Sequence, residues 1–112
     1  MRIKLTIIAL LSCLFWQSTS LAINNEQLST IAEMGRLNGI ALNCQYAQEI
    51  RQIKQILIAN LPTKKALGVW FQQKTNDAYI AFMNSHKTCP GLIHFDKQLE
   101  QAKRKLQAAY KK

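Results

Sequence analysis

Cys44 and Cys89 set the tightest limit on how this chain can fold, because they are read as the only cysteines of the mature protein. The third, Cys13, falls in a segment built as a leader. Met1 to Lys4 is a short positive start, Leu5 to Trp16 is an apolar run broken only by Thr6 and Ser12, and Ser20 and Ala22 place small residues at the −3 and −1 positions of a cleavage site. The apolar run is shorter than the roughly 20 residues that a membrane-spanning helix needs. Residues 1–22 are therefore set aside as a signal peptide, and residues 23–112 are read as a single helical domain, periplasmic or secreted after cleavage near Ala22. The stretch Leu10 to Cys13 loosely resembles a lipobox, which leaves acylation of Cys13 as an alternative. Few residues precede it, however, and apolar residues follow it.

In an oxidising compartment an even pair of cysteines implies a disulfide. Joining Cys44 to Cys89 closes a loop of about 46 residues, worth about 4 kcal/mol in the chain-entropy model. A domain of about 90 residues buries a modest share of its surface, so such a link is a large part of its net stability.

Charge narrows the partners. The chain has 15 Lys and Arg, two of them (Arg2 and Lys4) in the leader, against six Asp and Glu. The mature protein thus carries about +7. The excess gathers toward the C-terminus, where Lys97, Lys103, Arg104, Lys105, Lys111 and Lys112 face one acid, Glu100, and make a basic final helix and tail. Export separates this charge from nucleic acid and leaves anionic lipid, wall polymer or acidic protein as its counterpart, with a solvated helix face as the simpler reading.

The fold class is all-α. No strand-like alternation persists, and apolar spacing marks four helical segments. The first starts near Asn24 or Asn25 and carries Leu28, Ile31, Gly35, Gly39 and Leu42 on one stripe, with Met34, Leu37 and Ala41 beside it. The second, from about Gln45 to Asn60, carries Tyr46, Ile50, Ile53 and Leu57 and ends before Pro62. Nothing in the sequence decides whether these two are one continuous helix. The third, starting after Pro62–Thr63 and running to about Ser85, carries Leu67, Phe71, Ala78 and Phe82, widened by Trp70 and Met83. After the Cys89–Pro90–Gly91 turn, the fourth carries Phe95, Leu99, Ala102, Leu106 and Ala109. Short connections suggest antiparallel neighbours, hence a small up-and-down bundle of three to four helices stapled by Cys44–Cys89.

Gly35 and Gly39 stand four apart in the first segment. Each costs about 1 kcal/mol against alanine in a helix, so close helix packing should compensate. Trp70, Phe71 and Phe82 are the expected occupants of the space. In the alternative reading, Gly39 ends the first helix and Asn43 caps the second.

Candidate chemistry is sparse. His86, Cys89 and His94 have metal-like spacing, but zinc would require reduced thiols and a fourth ligand such as Cys44. Ser85–His86 has no nucleophile signature, and Glu49 has no carboxylate neighbour in sequence. There is no phosphate loop, CxxC or haem-attachment motif. The expectation is a protein without cofactor, metal or catalytic site. Trp70 and Phe71 are a candidate partner surface, because adjacent helical residues point about 100° apart and one of them can stay near the rim. Lys103, Arg104 and Lys105 are the candidate contacts to an anionic surface.

In plan, with a leader, a helical domain and one long-range disulfide, the chain is similar to acid-stress chaperones of the bacterial periplasm and to periplasmic immunity proteins that neutralise wall-degrading effectors. That resemblance is architectural and carries no residues across. A compact stapled scaffold without a catalytic cluster points to binding of another envelope or secreted protein, as inhibitor, immunity factor or assembly accessory. A stress chaperone, or a binder of an anionic lipid, wall polymer or small ligand, is the alternative.

Overall fold

The computed structural model describes residues 24–111. The leader, Cys13 and the cleavage site near Ala22 lie outside the described residues. Four helices fill the described chain: α1 (Asn25–Cys44), α2 (Ala47–Asn60), α3 (Lys65–Ser85) and α4 (Leu92–Ala109).

The ends of these helices follow from local chemistry. Asn24 caps α1 by accepting from the Gln27 backbone N–H at 2.7 Å. A left-handed residue, Gln45 (φ 59°), then stops α1 one position after Cys44. This break separates α1 from α2, and the chain reverses within Gln45 and Tyr46. Gly39 does not end a helix, and Asn43 does not cap one. Both lie inside α1, where the Asn43 side-chain amide donates back to the Gly39 carbonyl at 3.2 Å. Leu61 is extended ahead of Pro62, which ends α2. A second left-handed residue, His86 (φ 53°), ends α3.

α1 is the hub. It lies against all three other helices, α2 and α4 also touch each other, and among the described residues α3 rests on α1 alone. Met34, Gly35, Leu37, Asn38, Gly39 and Ala41 are all buried, and at about 100° per residue they occupy more than one side of the helix. The core is completed by Ile53, Leu67, Phe95, Leu99, Ala102 and Leu106. The four from α4 keep the i, i+4, i+7, i+11 spacing of one stripe, and burying each of the larger ones contributes about 1.5–3 kcal/mol.

Helix directions can be read from specific contacts. α4 runs antiparallel to α1: the Gln27 side chain donates to the Ala109 carbonyl at one end, and the Cys44–Cys89 disulfide, with Cα atoms 5.8 Å apart, closes the other. Beside the disulfide, the Tyr46 hydroxyl donates to the Pro90 carbonyl, and its ring meets Phe95 edge-on with centroids 5.4 Å apart. Trp70 donates to the Leu28 carbonyl at 2.9 Å, Asn38 to Thr75 at 3.3 Å and Asn43 to the Tyr79 carbonyl at 3.0 Å, so α3 runs in the same direction as α1.

The α1–α3 contact is made at the two glycines. A Cβ placed on Gly35 would stand 2.7 Å from Lys74 Cβ and 3.1 Å from the Thr75 nitrogen. One placed on Gly39 would stand 2.7 Å from both the Thr75 oxygen and the Tyr79 nitrogen. Backbone and Cβ atoms of Lys74–Tyr79 occupy this space, not the aromatic rings expected there. Leu42 and Met83, placed on packed stripes by their spacing, are instead exposed.

Candidate functional site

Two surfaces stand out. The first is the end of the bundle that carries the disulfide. Among the described residues eight large apolar side chains are exposed, and six of them (Leu42, Tyr79, Ile80, Met83, Leu92 and Ile93) belong to the last turns of α1 and α3 or the first turn of α4. These segments come to the same end of the bundle because α1 and α3 are parallel and because Cys44–Cys89 ties the start of α4 to the end of α1, although α3 and α4 do not touch each other. Ile80 and Met83 are about half exposed (52% and 51%), and Ile93 almost fully (89%). Single exposed apolar residues are ordinary on any protein surface; a group of six at one end is the pattern of an interaction site.

Trp70 and Phe71 do not join this surface. Both are half-buried against the core, Trp70 spends its N–H on α1, and Lys74 lies over its ring with Nζ 4.3 Å from the centroid. The cations of α4 are also partly engaged. Lys103 and Arg104 both reach Glu100, at 3.9 and 3.6 Å. Lys105 is exposed and lies beside α1 in a shallow depression shared with Glu33 and Arg36.

The second surface is a groove of about 570 Å³ between α2 and α4. Its walls alternate between amides (Gln48, Gln52, Gln55 and Gln107) and apolar residues (Ile56, Leu92 and Leu99). Three carboxylates line it, Glu49, Asp96 and Glu100, with one cation, Lys103. Sequence reading passed over this group because 47 residues separate Glu49 from Asp96, and only the parallel course of α2 and α4 puts them on one groove.

His86 and His94 are both exposed, and Cys89 is bonded to Cys44 and so is not a thiolate ligand. Among the described residues no three His, Cys, Asp or Glu side chains converge, and no helix is long and apolar enough to cross a membrane. Compared with family models, curated proteins and solved structures, the chain matches none.

Proposed function

We propose that this chain is a non-catalytic exported protein that binds another protein of the envelope or its surroundings, as inhibitor, immunity factor or assembly accessory. The observation that carries the reading is the apolar disulfide end. A small bundle that leaves Ile80, Met83, Leu92 and Ile93 in water forgoes burial worth about 25 cal/mol per Å². A partner that covers these residues recovers that free energy. Three separate elements contribute to the surface, so its shape depends on the α1–α3 contact and on the disulfide. Rigid presentation of apolar side chains suits a specific protein contact.

An anionic surface bound by Lys103, Arg104 and Lys105 is less favoured, because two of these three cations already neighbour Glu100. Acid-triggered chaperoning is also less favoured, since six acids offer few carboxylates to protonate.

The test is affinity capture from an envelope fraction with the disulfide oxidised, comparing the native protein with Ile80→Ser/Met83→Ser and with Ile93→Ser. The expected result is one protein recovered near equal stoichiometry by the native chain and lost with the variants, whose circular dichroism stays unchanged. Equal capture by all three chains would overturn the proposed surface. Many substoichiometric captures that increase under acid would favour the chaperone.

A further inference from the structure

We propose that the α2–α4 groove binds an organic cation carried on a short alkyl stem, a primary ammonium or a guanidinium. Three of the protein's six acids line this one groove, although the molecule as a whole is strongly basic, at +9. Glu100 already holds Lys103 and Arg104, which leaves Glu49 and Asp96.

Glu49 is the decisive residue. It is 6% exposed, yet it makes no hydrogen bond or ion pair among the described residues. Buried carboxylates ordinarily find a partner, because an unpaired buried charge is costly. Among the described residues the side-chain atoms that are both sealed and unpaired are Asn38 Oδ1 and Tyr110 Oη. The Glu49 carboxylate is not among them, so its oxygens retain access to the groove that it lines. A cation in the groove supplies the partner that Glu49 lacks.

The remaining lining selects the kind of cation. A divalent metal is held by three or more ligating side chains or by a cage of oxygens, and no three metal-type side chains converge here. N–H donors of an ammonium or guanidinium match carboxylate acceptors on a groove that the amides of Gln48 and Gln52, which can also accept, line as well. Ile56, Leu92 and Leu99 offer an apolar wall for a methylene stem, as the aliphatic part of lysine or arginine uses. The volume lies within the range of small-molecule sites. This inference does not rest on the reading of the apolar end, with which the groove shares only Leu92 among the residues named.

The test is an NMR titration of the oxidised protein with pentylamine and with its neutral twin, pentanol. Saturable shifts at Gln48–Gln52 and Leu92–Glu100 with the amine, and not with the alcohol, are expected. Glu49→Gln should weaken amine binding by about tenfold or more and Asp96→Asn by several-fold, since charge-assisted hydrogen bonds are the strong ones. The comparison of amine with alcohol needs no variant and stands even if Glu49→Gln disturbs the fold. Two further probes separate the sources of such a cation. Tighter binding of 1,5-diaminopentane assigns a free diamine, and tighter binding of Nα-acetyl-lysine methylamide assigns the side chain of a partner protein. Equal binding of alcohol and amine, unchanged amine binding in both variants, or no saturable shift at millimolar amine would overturn the proposal.

Discussion

Gly39→Ala should destabilise this protein, although alanine is the better helix former. In an exposed helix interior the substitution gains about 1 kcal/mol. Here the new Cβ would lie 2.7 Å from the Thr75 carbonyl oxygen, 2.7 Å from the Tyr79 nitrogen and 2.9 Å from Ala78 Cβ. None of these atoms is the free end of a flexible side chain, so α3 itself must recede, by about 0.7 Å to restore ordinary van der Waals distance. Overpacking of this kind costs about 1–3 kcal/mol. Recession also lengthens the Asn38–Thr75 hydrogen bond, already 3.3 Å, and the Asn43–Tyr79 bond. The net expectation is a loss of about 1–2 kcal/mol, or about 4–16 °C in Tm for a domain of this size. Gly68→Ala is the internal control. Gly68 lies in α3 with nothing within 4 Å of a built Cβ, so alanine there should stabilise by about 0.5–1 kcal/mol. Urea titration followed by circular dichroism, with the disulfide intact, measures both. A Gly39→Ala protein as stable as the native one, alongside a stabilised Gly68→Ala, would refute the close α1–α3 contact.

Other consequences are equally direct. Replacing Cys44 and Cys89 together by Ser should remove about 4 kcal/mol, the closure entropy of the loop, read as a lower urea midpoint that reducing agent reproduces in the native chain. Burial raises the Tyr110 phenol above its ordinary value. The stability linked to it is therefore fully present below about pH 10 and is lost as pH climbs through the folded-state value. Native protein should lose more stability between pH 9 and pH 11 than Tyr110→Phe does, and an equal loss in both would exclude that linkage. Thr75→Val leaves the buried Asn38 amide with no partner for its nitrogen as well as its oxygen, and should cost about 1–3 kcal/mol. Adding Asn38→Leu should recover most of that loss, and a double-mutant cycle measures the coupling.

The helical fold and the disulfide were legible in the sequence for physical reasons. α4 is strongly two-faced, so Phe95, Leu99, Ala102 and Leu106 announced the side they bury. Cys44–Cys89 followed from compartment and parity. Periodicity identifies a face but does not choose its neighbours, which is why the packing of α3 on α1 alone among the described helices was not foreseen. It also assumes that each helix has one covered face against a full set of neighbours. Among the described helices α3 has a single neighbour and Met83 and Ile80 are exposed, while α1 has three and buries Asn38 between Leu37 and Gly39. Gln45 gave no warning of the left-handed break at the end of α1, because glutamine is not a residue that usually marks one. The Glu49–Asp96 groove depends on long-range pairing of α2 with α4, and no local signal carries that.

The hub position of α1 has a consequence for the order in which the molecule takes shape. Whatever delivers the chain N-terminus first, as synthesis does, delivers the shared scaffold before anything that rests on it. α1 is complete at Cys44, its glycine groove is filled only when Lys74–Tyr79 arrive, and its other flank waits for a helix that ends at Ala109. Four of the ten apolar core residues are in that last helix, and the cysteine that locks it to α1 is only three residues ahead of it. The widest helix contact, α1 against α3, is therefore available once Ser85 has arrived, and the last helix supplies the remaining flank of the core and the lock.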